Sequence, residues 1–304
     1  MAITLIMHTA IKHDVAFFDF LRGWSAVLVF FHHAAILGGG PSFLSGQIGQ
    51  EAVNAFMVAS GFLIYFQCAT SRSYDQLQSW NGMRNFYIRR FFRIAPAYYF
   101  ALIAALLIST YLGQCREQIA EVLPSSATSM DRYYIKDYLF SALIHLSFVF
   151  GMLPQYSFST PLPDWSLGLE MQFYLIFPLL YAGCRRNFII FMPLSLLLMA
   201  GIWGLLSRAG VHYPMPSILP LKFHNFAAGM AWAYLMLNTS ISLKSRLIVM
   251  STALIFLILG NRSPFMPVLF VLGCWLLNAP SRERGAGFLE CIFAHRSSKF
   301  LADI

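Results

Sequence analysis

Apolar residues in this chain do not alternate with polar ones. They run together in stretches longer than a strand or a surface helix uses. A membrane-spanning helix needs about 20 mostly apolar residues, within a range near 17–25. The pattern predicts spans at Val15–Leu37, Gly49–Gln67, Ile94–Leu112, Tyr138–Leu153, Trp165–Gly183, Phe188–Ser207, Ile218–Leu237, Leu247–Gly260 and Phe265–Asn278. A further apolar start at Phe300 is cut off at Ile304, so the chain is expected to be truncated before or within a last helix. No repeat of fixed period, no low-complexity linker and no soluble domain interrupts the series. The expected fold is all-α: a polytopic membrane bundle of about nine or ten helices, in one domain over residues 1–304.

Composition agrees. The 304 residues are 58% apolar and 11% charged, and a soluble domain carries about 25% charged residues. An ordinary cytosolic globule, a disordered chain and a secreted disulfide scaffold are excluded. The net charge of +8 sits in short basic clusters between apolar runs, which marks topology through the positive-inside rule rather than nucleic-acid binding. Arg72, Arg84, Arg89, Arg90 and Arg93 stand against one acid, Asp75, whereas Gly38–Gln50 has no Lys or Arg. This places the N-terminus inside and Gly38–Gln50 outside. The clusters Arg185–Arg186, Lys244–Arg246 and Arg282–Lys299 also prefer the cytoplasm, yet strict alternation through nine spans sends them outside. A re-entrant segment between Ile94 and Leu153 would remove the conflict, and Tyr138–Leu153 is the shortest there. The first apolar run contains Arg22 and lacks a cleavage site, so it reads as a retained signal anchor. The five cysteines show no CxxC spacing and no metal-ligand pattern.

Ionisable groups at membrane depth are costly and usually face a cavity or a partner. The first span carries Asp19, Arg22, His32 and His33. On a helix, Arg22 and His33 fall about 20° apart and roughly 16 Å along the axis, with Asp19 about 40° from His33 and His32 about 80° off Arg22. Geometry therefore selects Asp19, Arg22 and His33 as one polar stripe. The plainer alternative is an i,i+3 pair of Asp19 with Arg22, plus two interfacial histidines. The second span holds Asn54 and Ser60, where Ala55, Ala59 and Gly61 suit close helix packing. The fifth opens on Asp164 and Trp165 and buries Glu170, a carboxylate that needs a cation or a proton. Trp165, Phe173 and Tyr174 equally fit an aromatic belt. Arg89 and Arg93 are one helical turn apart, as are Arg90 and Arg93, a spacing suited to phosphates or to a positive-inside anchor.

Four stretches, in order, resemble the acyltransferase 3 family of bacterial membrane proteins. They are Phe18–Ser25 running on to His33, Val53–Ile64, Arg89–Pro96 and Trp165–Tyr174, and together they cover the first 180 residues. The resemblance implies transfer of an acyl group, usually acetyl from acetyl-CoA, to a hydroxyl of an envelope carbohydrate. It places the family's Arg-then-His pair on Arg22 and His33, its Arg-x-x-Arg loop on Arg90 and Arg93, and its acid on Glu170. Asn54 departs from the family, which commonly has Asp there.

The expected catalytic residues are thus His33, Arg22 and Glu170. Arg89, Arg90 and Arg93 are expected to bind the donor, and Asp19, Asn54, Ser60 and Trp165 the acceptor. His33 is expected to act as general base on the acceptor hydroxyl or as a covalent acetyl carrier. No metal and no nucleic-acid partner are expected; the partners are the carbohydrate or glycolipid acceptor and the bilayer of a bacterial inner membrane. The rival reading is a glycan or lipid transporter lined by Asp19, Arg22, His33 and Glu170. It lacks the paired broken helices that mark transporter sites.

Overall fold

The computed structural model describes residues 2–70, 77 and 79–278. Among the described residues the chain is helical, without strands: α1 (Ala2–Gly38), α2 (Ser42–Ser45), α3 (Ile48–Thr70), α4 (Trp80–Leu107), α5 (Ser109–Val122), α6 (Tyr138–Leu146), α7 (Trp165–Arg208), α8 (Leu219–Leu237), α9 (Leu243–Gly260) and α10 (Phe265–Asn278). Five elements are long and apolar enough to cross a bilayer: Phe17–Gly38 of α1, then α3, α4, α7 and α9. Arg72, Asp75, Cys291, the Arg282–Lys299 stretch and Phe300–Ile304 lie outside the described residues.

Three expectations need adjustment. The span expected at Ile94–Leu112 is α4, which starts at Trp80 and stops at Leu107. Arginines do not break a helix, and this one begins where Ser79 Oγ accepts from the Gly82 amide at 3.1 Å. Beyond Ile108, the charged α5 is a separate helix. The segment Tyr138–Leu153 does not form a spanning helix. Its α6 has nine residues, about 14 Å against a hydrocarbon core near 30 Å, and Phe148 at φ 59° turns the chain into a short 3-10 turn at Val149–Met152. Finally, the spans expected at Trp165–Gly183 and Phe188–Ser207 are two limbs of α7, broken at Asn187 (φ −159°, ψ 95°). Phe191 packs directly over Gly183. On a straight helix these residues would stand about 12 Å apart, so the limbs fold back on each other.

The chain forms two compact units. The first comprises Met1–Ala35, Gly40–Thr70 and His224–Ile304. Its α3 is apolar all round because it is buried, with 72% of its apolar stretch covered against 17% for α1 and α9. α3 and α8 touch backbone to backbone: a Cβ at Gly61 would sit 2.1 Å from the Phe226 carbonyl oxygen, and one at Gly229 2.0 Å from that of Val58. Small residues make such approach possible where lipid offers no hydrophobic drive. Phe18 stacks on Phe62 at 3.6 Å between centroids, with Trp232 edge-on at 4.9 Å.

The second unit comprises Ile36–Gly39 and Ser71–Phe223. Here α4 packs on α7 through Phe86, stacked on Phe177 at 5.7 Å. The outward residues of both helices are large and apolar, Phe100, Leu107, Leu175 and Leu179 among them. In water such a surface would aggregate; against lipid it is the expected exterior.

Candidate functional site

In the first unit, Asp19, Arg22 and His33 lie on α1, each half-buried and each engaged with neighbours. His32 is tied elsewhere. Its Nδ1 donates to the Leu44 carbonyl at 2.8 Å, which anchors α1 to α2 and fixes the proton on that nitrogen. The neighbouring His33 ring stands 5.1 Å away at 64°. Of the two histidines, His32 thus holds the loop, while His33 remains on the stripe with Arg22.

Asn54 and Ser60 are buried on α3. Asn54 Oδ1 accepts from Gln50 Nε2 and from Asn225 Nδ2, both at 3.3 Å. Asn225 Oδ1 in turn accepts from Asn261 Nδ2 at 3.1 Å, and Asn261 also donates to the Leu257 carbonyl. This amide chain crosses from α3 through α8 to the end of α9. It carries no charge, and the oxygen of Asn54 performs the accepting role that a carboxylate would perform there.

In the second unit, Arg90 and Glu170 are both buried. The Arg90 guanidinium lies over the rings of Phe86 (5.7 Å) and Tyr174 (5.5 Å), and the Tyr174 hydroxyl donates to Glu170 Oε1. Glu170 and Tyr174 are one turn apart on α7, so the helix presents both to α4. Tyr174 therefore links the two charged residues: a cation on its π face, a carboxylate at its hydroxyl. Trp165 is buried at the start of the same helix. Arg89 and Arg93 are exposed, and Arg93 stands near enough to act electrostatically on Tyr174. The three arginines hence divide, with Arg90 inside the aromatic box and Arg89 and Arg93 exposed.

Several buried polar residues escaped the sequence reading. Asn225 is fully buried, His224 and Lys222 nearly so, and all three interrupt the apolar run of α8. His145 is fully buried and lies 3.9 Å from Asp164. The rule that selected Glu170 would have selected each of them, because each is a polar group inside an apolar stretch. Tyr98 and Arg132, which also surround Asp164, gave no such signal. Among the described residues no group of three or more His, Cys, Asp or Glu side chains could hold a metal ion. Cys68, Cys115, Cys184 and Cys274 form no disulfide.

Comparison with known proteins follows the same line. A 161-residue stretch is 29% identical to a protein named peptidoglycan O-acetyltransferase OatA from Listeria monocytogenes serovar 1/2a; it covers 53% of this chain and 23% of that protein. The chain thus corresponds to less than a quarter of that relative's length. No solved structure matches. A family model described as an acyltransferase domain matches residues 15–283, a stretch that includes every residue of the stripe, the amide chain and the aromatic box. The chain is a multi-pass membrane protein of the acyltransferase 3 family.

Proposed function

We propose that this protein moves acetyl from cytoplasmic acetyl-CoA to a hydroxyl of an envelope carbohydrate, and that the two units serve one acyltransferase domain. The observation that carries the reading is the family match across residues 15–283, which runs through both units. The relative's name favours a glycan acceptor, and O-antigen, capsule, exopolysaccharide and peptidoglycan all belong to that class.

The topology supports it. With Tyr138–Leu153 no longer a crossing, α1, α3, α4, the two limbs of α7, α8 and α9 are counted as successive crossings. Arg84–Arg93, Arg185–Arg186 and Lys244–Arg246 then all fall on the cytoplasmic side, as the positive-inside rule requires. The N-terminus is inside, in a bacterial inner membrane. Arg22 lies toward the cytoplasmic end of α1 and His33 toward the outer end. Arg89 and Arg93 stand where a cytoplasmic donor presents its phosphates, and their exposure and one-turn spacing fit a diphosphate.

In the reaction, His33 takes the proton of the acceptor hydroxyl as its oxygen attacks the thioester carbonyl carbon. The carbon–sulfur bond breaks, and the CoA thiolate leaves and is protonated by the imidazolium. Arg22, toward the cytoplasmic end of the same stripe, lines the path by which the donor reaches His33. Glu170, held by Tyr174, orients the acceptor or a catalytic group. A stepwise variant passes the acetyl group through His33 itself; a trapped acetyl-imidazole identifies it.

Donor binding tests the reading. Purified protein in nanodiscs is expected to bind acetyl-CoA, and Arg89→Gln with Arg93→Gln to weaken it at least tenfold, as loss of two charge-assisted contacts predicts (about 1.5 kcal/mol or more each). Absence of any acetyl-CoA binding by the wild type would contradict the donor assignment.

A further inference from the structure

Asp164 precedes α7, and its carbonyl accepts the first helical bonds, from the Leu167 amide at 2.9 Å and the Gly168 amide at 3.4 Å. An Asp at this position ordinarily caps the helix with its side chain. Here it makes no such cap. Its carboxylate turns into a buried cluster of the second unit: Oδ2 accepts from the Tyr98 hydroxyl at 2.8 Å and from Thr160 Oγ1 at 3.4 Å, and stands 3.9 Å from His145 Nε2. Arg132 acts on it electrostatically while donating to the carbonyls of Thr160, Pro161 and Leu162 and covering Phe158 at 3.7 Å.

The proton positions follow from the partners. His145 Nδ1 lies 2.8 Å from the Ser141 carbonyl, which can only accept, so Nδ1 carries hydrogen. Nε2 is buried without a hydrogen-bond partner and faces the carboxylate. In a neutral ring that nitrogen would aim its lone pair at Asp164, which is repulsive in a low dielectric. A second proton turns the contact into an ion pair. Phe150 lies flat on the imidazole, at 4.6 Å and 9°, and closes the cluster.

We infer that His145 is held as an imidazolium against Asp164, and that this buried pair is the positioning element that fixes the start of α7 and, through it, Trp165 and Glu170. The inference deepens the reading of Glu170 given above. His145 is wholly buried, so it acts on the reaction through α7. The lever is short, since Glu170 stands six residues, about 9 Å, beyond Asp164 on the same helix. The fastening is also rigid. Gly168 packs against the Cα of Gly151, beside the Phe150 ring. Gln172 then bonds the Ser217 carbonyl at 2.9 Å and accepts from the Leu219 amide at 2.9 Å. Burial raises the Asp164 carboxyl above its ordinary range, while His145 and the hydrogen bond from Tyr98 oppose that rise. The charged or titratable groups facing the pair are Tyr98 from α4 and Arg132 from the preceding loop, with Tyr99 beside Tyr98.

Nitrogen-15 NMR of the imidazoles, on full-length protein in nanodiscs with His145→Gln as the assignment control, reads the protonation directly. Both His145 nitrogens are expected to be protonated at neutral pH, and Asp164→Asn is expected to remove the proton from Nε2. His145→Phe should reduce acetyl-ester formation by up to about 100-fold, the cost of a catalytic group misplaced by about 1 Å, with the loss in kcat and the KM for acetyl-CoA unchanged. His145→Gln, which keeps a donor facing Asp164, should retain most of the transfer. An unprotonated Nε2 at neutral pH, or equal losses in His145→Gln and His145→Phe, would overturn the inference. If wild type forms no acetyl ester, the reaction assignment fails, and the NMR result still decides the protonation of His145.

Discussion

The two units solve the same problem, polar groups inside an apolar fold, in different ways. The first uses neutral amides: Gln50 and Asn225 donate to Asn54 Oδ1, and Asn261 donates to Asn225 Oδ1, so these two buried oxygens find hydrogens without any charge. The second uses ions, with Arg90 and Glu170 joined by Tyr174, and His145 facing Asp164. Neutral chains hold helices together at modest cost and are insensitive to pH. Buried ions are costly to desolvate, fail badly when one partner is lost, and tie structure to protonation. The difference places the buried ion contacts on α4, α6 and α7, while the amides join α3, α8 and the end of α9 without charge.

Breaking the charged side should have the largest effect. Arg90→Ala or Glu170→Ala leaves the other group buried and is expected to cost about 3–5 kcal/mol, seen as loss of folded protein on detergent extraction. The double change Arg90→Met with Glu170→Leu should recover most of that stability and none of the transfer. Next comes the backbone contact of the frame. Gly61→Val drives a side chain into the Phe226 carbonyl and should destabilise by roughly 3 kcal/mol, the upper end of overpacking, read as a fall in melting temperature.

Asn225→Leu removes one of two partners from Asn54 Oδ1 and one of two from Asn261 Nδ2 and should cost about 1–3 kcal/mol, with no change in the pH profile. Asn54→Asp keeps an oxygen for both accepted bonds and should stay within about 1 kcal/mol of wild type. The smallest effect is electrostatic. Burial raises the Asp164 pKa, so the folded state holds its proton more tightly than the unfolded chain. That contribution is present at low pH and is lost as pH rises through the folded-state value. The melting temperature of wild type should therefore decline with rising pH more steeply than that of Asp164→Asn.

Hydropathy alone made α1, α3, the two limbs of α7, α8, α9 and α10 legible, because lipid demands continuous apolar runs. Even the break at Asn187 was marked by Arg185 and Arg186. The same measure misplaced α4, whose first turns carry Arg84, Arg89 and Arg90 and so look polar although Arg90 is enclosed by aromatic rings. It also took Tyr138–Leu153 for a crossing. Composition there is apolar, but Phe148 adopts a left-handed backbone, and the aromatic residues pack on Tyr98 and His145 rather than on lipid. Among site residues, the stripe on α1 follows from helix geometry. The Asn54–Asn225 and Asp164–His145 pairs join positions far apart in sequence, which periodicity within one helix does not connect.

The most direct test of the account is the O-acetyl content of envelope polysaccharide, measured by proton NMR in cells carrying the gene, its His33→Ala variant or no gene, at matched membrane expression. The account predicts acetyl-ester signals with the wild type alone, on a defined sugar position. Equal acetyl content with His33→Ala and wild type would contradict the assignment of His33, and no gene-dependent acetyl ester would contradict transfer to envelope polysaccharide itself.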